Sequence, residues 1–389
     1  MPSIFDEIVD RRNTDSVKYM FWKEQGDAIP MWVADMDFKA PKEVSQALLQ
    51  VAQHGVFGYT DPDKSYERAV CGWMLRNFGW TAEPDWNVKV PGVVFALAAA
   101  VRGLTDRGDA VLIQQPVYYP FMDVVCVNDR KLVINELRLR NGRYEIDFAD
   151  FEEKIKTNQV KLFLLCSPHN PVGRVWTKEE LIRMGEICLK YNVTVASDEI
   201  HADFVYSRFQ HTVFADAFPA LQDKTIICTA PSKTFNLAGL QTANIFIQDS
   251  KLRDVFSREI QRTGYAQLNA MGLAATKAAY TYGQAWRDEM VAYLEDSVTY
   301  VENTLAQTNG AIQLIKPEGT YLLWMDCRGL DLDDDDDIND FFANEAKLWL
   351  HAGPTFGESG SGFMRMNIAC PRQTLQQAMD NMTAALAGI

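Results

Sequence analysis

The chain has 389 residues, 47% of them apolar and 23% charged, with a formal net charge of −14. That length allows two or three domains with sizeable cores. The acidic balance argues against nucleic acid or an anionic membrane as partner, so any anionic ligand must be held by a local site. Seven cysteines (Cys71, Cys126, Cys166, Cys188, Cys228, Cys327 and Cys370) show no C-x-x-C spacing. Several stand inside apolar runs, which reads as buried free thiols in a reducing compartment. Met1 to Asp15 carries no apolar signal core, and no stretch of about 18 apolar residues suggests a membrane span, so a cytoplasmic protein is expected.

In chain order, residues 1–30 read as an arm or short helix. Ile29 to Phe38 reads as a short strand running into a loop, with Trp32 and Met36 available for packing. Helical spacing follows over Lys42 to His54 and over Tyr66 to Phe78. Between them lies Gly55-Val56-Phe57-Gly58-Tyr59-Thr60, a glycine-flanked turn that presents an aromatic residue. Val88 to Val94 is a strand turning into a helix, roughly Val93 to Leu104, that is apolar nearly all round and therefore buried. Its first turn offers free N–H groups and the positive end of a helix dipole to an anion, or simply packs on the sheet. After the strand Ala110 to Gln114, Pro116-Val117-Tyr118-Tyr119-Pro120 forms a stiff aromatic shelf or a piece of core.

Val160 to Cys166 is a fully apolar strand ending in Ser167-Pro168-His169-Asn170-Pro171-Val172-Gly173. Thr177 and Glu180 form a capping box at the start of a helix. Val193 to Ala196 is the next strand and ends in Ser197-Asp198-Glu199-Ile200-His201; a carboxylate there needs a partner. Thr225 to Cys228 then delivers Ala230-Pro231-Ser232-Lys233, and Asn244 to Ile247 follows. A lysine just past a buried strand is open to desolvation, which lowers its pKa and frees its amine for Schiff-base chemistry. Strand–helix–strand repetition over 88–250 argues for a mostly parallel sheet covered on both faces, with ligands at the carboxyl ends of its strands. Gly92, Tyr118, Asn170, Asp198 and Lys233 all fall at such ends.

From about Met290 the pattern changes. A long helix, Trp286 to Gln307, precedes an antiparallel-looking strand, Gly319 to Asp326. Asp333 to Asp337 form a solvated acidic loop before a helix expected near Ile338; a metal there is not expected. Arg365 sits between apolar neighbours in Phe363 to Ile368 and requires an anion. Gln373 to Leu386 closes the chain as a helix.

Together the lysine, aspartate, asparagine, stacking tyrosine and helix N-terminus are what pyridoxal 5'-phosphate requires. A nicotinamide site is unlike this chain, because no G-x-G-x-x-G follows the first strand. VADMDF (33–38), GYT (58–60), PVYYPF (116–121), CSPHNPVGRVW (166–176), SDEIH (197–201) and APSKTFNLAGL (230–240) occur in one order over nearly the whole chain. In these motifs the chain resembles the fold-type I pyridoxal-phosphate enzymes of the aminotransferase superfamily, in particular the cystathionine β-lyase/cysteine-S-conjugate β-lyase branch (maltose-regulon modulator and cystalysin-like).

The resemblance implies an α/β fold with a large domain, whose mostly parallel seven-stranded sheet is flanked by helices, and a smaller α+β domain. Residues 1–45 would form an arm and part of the small domain, 46–285 the large domain and 286–389 the rest of the small one. Lys233 would bond the cofactor covalently and act as acid and base at the substrate Cα. Asp198 would bind the ring nitrogen, Asn170 the ring hydroxyl, and Tyr118 would stack on the ring. Gly92, Val93 and Ser232 would hold the phosphate, with Tyr59 reaching it from the second subunit of a homodimer with shared sites. Arg365 would grip the substrate carboxylate, aided by the backbone near Val33 and Ala34 and by Tyr119. Trp32, Met36, Phe38, Tyr118 and Tyr119 would make the rest of the pocket apolar. Where typical aminotransferases have tyrosine three residues after the aspartate and arginine eight after the lysine, this chain has His201 and Gln241; both departures resemble the lyase branch. His201 is read as a packed residue beside the site. The expected activity is α,β-elimination of L-cysteine S-conjugates such as cystathionine. An aminotransferase or a cofactor-bound regulatory protein acting on a partner are the alternatives.

Overall fold

A computed structural model describes residues 3–20, 23 and 26–388; residues 1, 2, 21, 22, 24, 25 and 389, among them part of the expected N-terminal arm, lie outside the described residues. In chain order the strands are β1 (Ile29–Pro30), β2 (Asn87–Val90), β3 (Ala110–Gln115), β4 (Lys131–Arg140), β5 (Arg143–Ile146), β6 (Leu162–Cys166) and β7 (Thr194–Asp198). They continue with β8 (Thr225–Thr229), β9 (Ala243–Phe246), β10 (Gln313–Ile315), β11 (Leu322–Asp326), β12 (Leu348–Trp349), β13 (His351–Ala352) and β14 (Phe363–Asn367).

The large sheet has the order β2-β9-β8-β7-β6-β3-β4-β5. Its five central strands, β8 to β4 in that order, run parallel, while β9 is antiparallel to both of its neighbours. The expected seven strands are joined by an eighth, because β5 folds back on β4 as a hairpin. Its turn is Asn141-Gly142, both at positive φ (50° and 75°), as a two-residue hairpin connection requires.

The strands are buried on both faces, so alternate residues feed two different cores. Leu162 and Leu164 of β6 face the side packed by the helices Val93–Leu104 and Ser250–Arg262, whereas Phe163 and Leu165 face the side packed by Lys178–Lys190. A third core gathers Leu294, Tyr321, Leu323, Phe342 and Met366 with Phe5, Met31, Met36 and Phe38 from the N-terminal stretch. There β10-β11-β14-β13 form an antiparallel sheet, and β1 pairs in parallel with β12. Met36 and Phe38, expected in the ligand pocket, are buried in this core instead, with Phe38 edge-on to Phe5 at 5.0 Å.

A buried ion cluster ties the two parts together. Arg174 Nε lies 2.9 Å from Glu318 and its Nη2 2.7 Å from Glu180, while Arg143 meets Glu318 at 2.7 Å. This fixes the loop that carries Asn170. Its Gly173 has a φ of +71°, and a Cβ there would stand 2.9 Å from Pro317, so no other residue fits without movement.

The helix expected near Ile338 starts earlier, spanning Asp335–Asp340. Asp334 caps it, accepting from the amides of Asp336 (2.9 Å) and Asp337 (3.0 Å). The acidic run is thus largely a helix start, where the dipole favours negative charge. Among the described residues no helix is long and apolar enough to cross a membrane. All seven cysteines are free; Cys126 is exposed, Cys71 partly so, and the other five are buried.

Candidate active site

The carboxyl ends of β2, β3, β6, β7 and β8 open on one edge of the large sheet, and a cavity of about 200 Å³ lies there. Gly92, Val93, Tyr118, Asn170, Asp198, Ser232, Lys233 and Ala34 line it, so most of the residues expected at the site share one hollow.

Lys233 sits in the single helical turn Pro231–Thr234 that follows β8. Its amine donates to the Ala34 carbonyl at 2.6 Å. Burial, reinforced by the charge of Arg365 and only partly offset by Asp35 and Asp198, lowers its pKa to about 8. About a tenth of the amine is therefore neutral near pH 7, far more than for an ordinary lysine, and the neutral form is what a nucleophile or base needs.

Asp198 ends β7, level with Cys166 of β6 and Cys228 of β8. Its carboxylate accepts from the Ile200 amide at 3.1 Å. Burial raises its pKa to about 7, against the lowering effect of that amide and of Lys233. An aspartate in this state is short of a positive partner and suits a protonated ring nitrogen. The neighbouring Glu199 is fully engaged, by Ser197 (2.9 Å), His211 (2.9 Å) and the Phe214 amide (3.0 Å).

Arg365 enters from β14 and is 1% exposed. It donates to Asn170 Oδ1 (3.1 Å) and the Trp32 carbonyl (2.8 Å), contacts His351 Nδ1 (3.2 Å) and lies over the Phe356 ring. Its Nε has no partner among the described residues. No carboxylate pairs with this guanidinium among those partners, which leaves it free for an anionic ligand. Its contact orients Asn170 so that the amide nitrogen is the end left to donate.

Tyr118 is held by its amide on the Asn170 carbonyl (3.0 Å) and packs against Tyr119 at 5.1 Å. At the other wall, the helix Val93–Leu104 begins at Gly92, and Ala96 is the first residue to donate back, to the Gly92 carbonyl. The preceding amides and the Ser232 hydroxyl on the facing turn form a cradle for a phosphate.

Of the two loop residues expected to aid Arg365, Ala34 lines the cavity and Val33 does not; the Val33 carbonyl accepts from Asn367 at 2.6 Å. His201 lines the cavity, with its ring packed on Phe204 and Tyr321 and its Nδ1 unpartnered among the described residues. Burial and the charges of Lys233 and Arg365 push its pKa down to about 3, so it stays neutral. Gln241 lines the cavity too. Tyr59 is not brought to the cavity of its own chain: it is fully exposed, beside Val56 (70%) and Phe57 (64%), over a surface hollow shared with residues 266–271.

Sequence reasoning missed Tyr321, Asn236, Asn367 and His351. Asn367 stands two residues beyond Arg365 on one strand, hence on the same face, a spacing that could have found it. The other three reach the site through contacts distant in sequence, with no local pattern to mark them.

A mostly parallel sheet with a lysine past one strand end, an aspartate at the next and an arginine from a second sheet defines the fold-type I pyridoxal-phosphate architecture. The chain belongs to the aminotransferase class I and II family, whose model matches residues 27–382. It is 42% identical over 389 residues to the cystathionine beta-lyase PatB of Bacillus subtilis, covering 98% of this chain and 100% of that one. Its structure is similar to cystalysin from Treponema denticola, which contains a pyridoxal 5'-phosphate cofactor (35% identity, TM-score 0.96, 100% of this chain and 99% of that chain). It is also similar to the pyridoxal-phosphate-bound C–S lyase of Staphylococcus hominis (34% identity, TM-score 0.92, 99% of each chain). The residues present fit that cofactor: a partly neutral lysine, a buried aspartate without a cation and an open helix N-terminus face one cavity.

Proposed function

We propose that the protein is a pyridoxal-phosphate-dependent carbon–sulfur β-lyase that cleaves L-cysteine S-conjugates, cystathionine among them, to a thiol, pyruvate and ammonia. The observation that carries this reading is the convergence of Lys233 and Asp198 on one cavity that Arg365 adjoins through Asn170, in a chain akin over its full length to a cystathionine β-lyase.

Lys233 would anchor the cofactor through its amine, Asp198 would hold its ring nitrogen, Asn170 its hydroxyl and Tyr118 its face. Gly92, Val93 and Ser232 would hold its phosphate, with Tyr59 of a second copy completing the cradle in a homodimer. Bound there, pyridoxal phosphate supplies an electron sink for the pair left when the Cα proton departs. Arg365 binds the α-carboxylate, with Tyr119 and the backbone at Val33 and Ala34 flanking it, and so directs the Cα–H bond toward Lys233. Lys233, in its neutral form, would take that proton. The Cα–Cβ double bond forms as the Cβ–S bond breaks, the sulfur leaves with the bonding pair, and the released enamine hydrolyses to pyruvate and ammonia. Gln241 in place of an arginine is one less cation on the phosphate than in typical aminotransferases. On this reading the protein works in the cytoplasm, supported by seven unpaired cysteines.

The test is pyruvate and thiol release from cystathionine, cysteine and S-alkyl cysteines, run beside amino exchange with a 2-oxo acid. Equimolar pyruvate and thiol are expected. Stoichiometric amino exchange without pyruvate would replace the lyase by an aminotransferase.

A further inference from the structure

The loop 33–38 is held chiefly by side chains: Arg11 and Lys18 hold its carboxylates, and two asparagines hold its backbone. Asn236 Nδ2 donates to the carbonyls of Met36 (2.7 Å) and Phe38 (3.0 Å), and its Oδ1 accepts from the Met36 amide (3.1 Å). Asn367 Nδ2 donates to the carbonyls of Val33 (2.6 Å) and Asp35 (2.6 Å). The Ala34 carbonyl stands between the two that Asn367 holds and two residues before the first that Asn236 holds; it receives Lys233 at 2.6 Å and the Tyr321 hydroxyl at 2.9 Å. Asn236 is three residues past Lys233, and Asn367 two past Arg365. The loop is therefore clamped between the turn that carries the lysine and the strand that carries the arginine.

We propose that Asn236 is a positioning residue for proton transfer at the substrate Cα: with Asn367 it sets the Ala34 carbonyl, and that carbonyl steers the Lys233 amine. The proposal rests on the reading of Lys233 as the base. A neutral amine has two N–H bonds and one lone pair. Giving one N–H to a fixed acceptor removes most of the rotational freedom of the lone pair. When the lysine takes the Cα proton, the same carbonyl faces the new ammonium, so the charge is met without water entering. The acceptor does this only if it stays still, and Asn236 uses all of its amide hydrogen-bonding groups on the loop to keep it so. Asn236 itself has a φ of +57°, which asparagine tolerates better than most residues. The loop keeps other ties without it, from Arg11 to Asp35 (2.7 Å) and to the Met36 carbonyl (3.2 Å) and from the Asp37 amide to the Ala369 carbonyl (2.8 Å), so removal of the side chain leaves a folded loop whose 36–38 end is loosened and whose Ala34 is anchored by Asn367 from one side only.

Two variants test this. Asn236→Gly removes the side chain and accepts the positive φ; Asn236→Asp keeps an acceptor for the Met36 amide but sets an oxygen against two carbonyls. In both, kcat on S-methyl cysteine should fall about 10- to 100-fold with KM changed less than about threefold, the scale of a misplaced catalytic group. Exchange of the Cα proton of L-alanine in deuterated water should slow by the same factor. In the full chain stripped of cofactor and labelled with [ε-13C]lysine, with K233R to assign the signal, the Lys233 pKa should drop by about half a unit or more, because a fixed carbonyl favours the ammonium. Parent values in all these readouts would overturn the proposal. So would a loss of kcat that follows lost cofactor occupancy while Lys233 titrates as in the parent. A parent protein that releases no pyruvate would sink the lyase reading; the lysine titration judges the clamp on its own.

Discussion

Asn170 Oδ1 accepts a hydrogen bond from the Arg365 guanidinium at 3.1 Å across 195 residues of sequence. The contact joins the loop after β6 to the middle of β14, and thus the residue proposed to face the cofactor to the one proposed to grip the substrate. Arg365→Ala should lower kcat/KM by about 2–4 kcal/mol, the loss of a charged contact that also orients the substrate. Arg365→Lys should recover little of it, because an ammonium cannot reproduce the planar fork that meets Asn170 and Trp32 together. Cofactor absorbance should persist in both, and its loss would mean that the arginine holds the fold rather than the substrate.

The strands that end at the site are legible in the sequence because burial on both faces writes itself as an unbroken apolar run, as in Leu162–Cys166 and, between two threonines, Ile226 to Cys228. The β4–β5 hairpin is written differently, in the alternation of exposed Glu136, Arg138 and Arg140 with Leu137 and Leu139 and in Asn141-Gly142, so a search for unbroken apolar runs passes over it. Asn236 and Tyr321 are illegible for a different reason. Their partners lie some 200 and 287 residues away, and a hydrogen bond to a backbone carbonyl asks nothing of the residue type that it meets. Met36 and Phe38 mislead because an apolar residue beside a site has the same composition whether it faces the ligand or the core.

Stability of the cofactor-free chain should depend on pH through Asp198 with a definite sign. Its pKa rises from 3.8 to about 7 on folding, so the folded state binds more protons than the unfolded one between those values, and this group's contribution to stability is lost as pH rises through that window. Asp198→Asn cancels the effect. Chemical denaturation of stripped parent and variant should show the variant gaining stability relative to the parent from pH 4.5 to pH 7.5, while its turnover with cofactor falls. A difference that is flat in pH would remove the assigned desolvation of Asp198.

Gly173 offers a test confined to the fold. Its φ of +71° and the 2.9 Å that would separate a β-carbon from Pro317 place strain and a clash on one substitution. Gly173→Ala should destabilise the protein by about 1–3 kcal/mol, read as a lower denaturation midpoint with the slope unchanged. A midpoint equal to that of the parent would show that the loop before Arg174 yields freely.

Assembly is testable through Tyr59. An exposed Val56, Phe57 and Tyr59 on one turn is more apolar surface than a solvated loop needs. A symmetric dimer that buries it and lends Tyr59 to the neighbouring site is expected. Sedimentation at micromolar concentration should give the dimer mass. Mixing Tyr59→Ala and Lys233→Ala subunits by denaturation and refolding should recover activity that neither variant has alone, since a mixed dimer carries one intact site. A fully active monomer would end the idea.

Specificity beyond the sulfur follows from what surrounds Arg365. Trp32 stacks on Trp349 at 5.1 Å, and His351 lies against both Trp32 and Tyr119 at 6.0 Å. Burial, with the charge of Arg365 beside it, pushes the His351 pKa down to about 3, so this ring adds no positive charge. Among the described residues, Lys233 is the one lysine or arginine that lines the cavity, and Arg365 adjoins it through Asn170. In the proposed function both are committed, to the Cα proton and to the α-carboxylate. A distal carboxylate on the S-substituent therefore finds no charged partner here, while an apolar or aromatic substituent finds flat apolar surface. Activity should demand the α-carboxylate and vary gently with the S-group, with uncharged groups preferred over anionic ones of equal size. Kinetics across small, bulky, neutral and anionic cysteine conjugates would measure it. Selection for one S-group by more than about 10⁴-fold would contradict the reading, because a ratio of that size needs dedicated polar contacts.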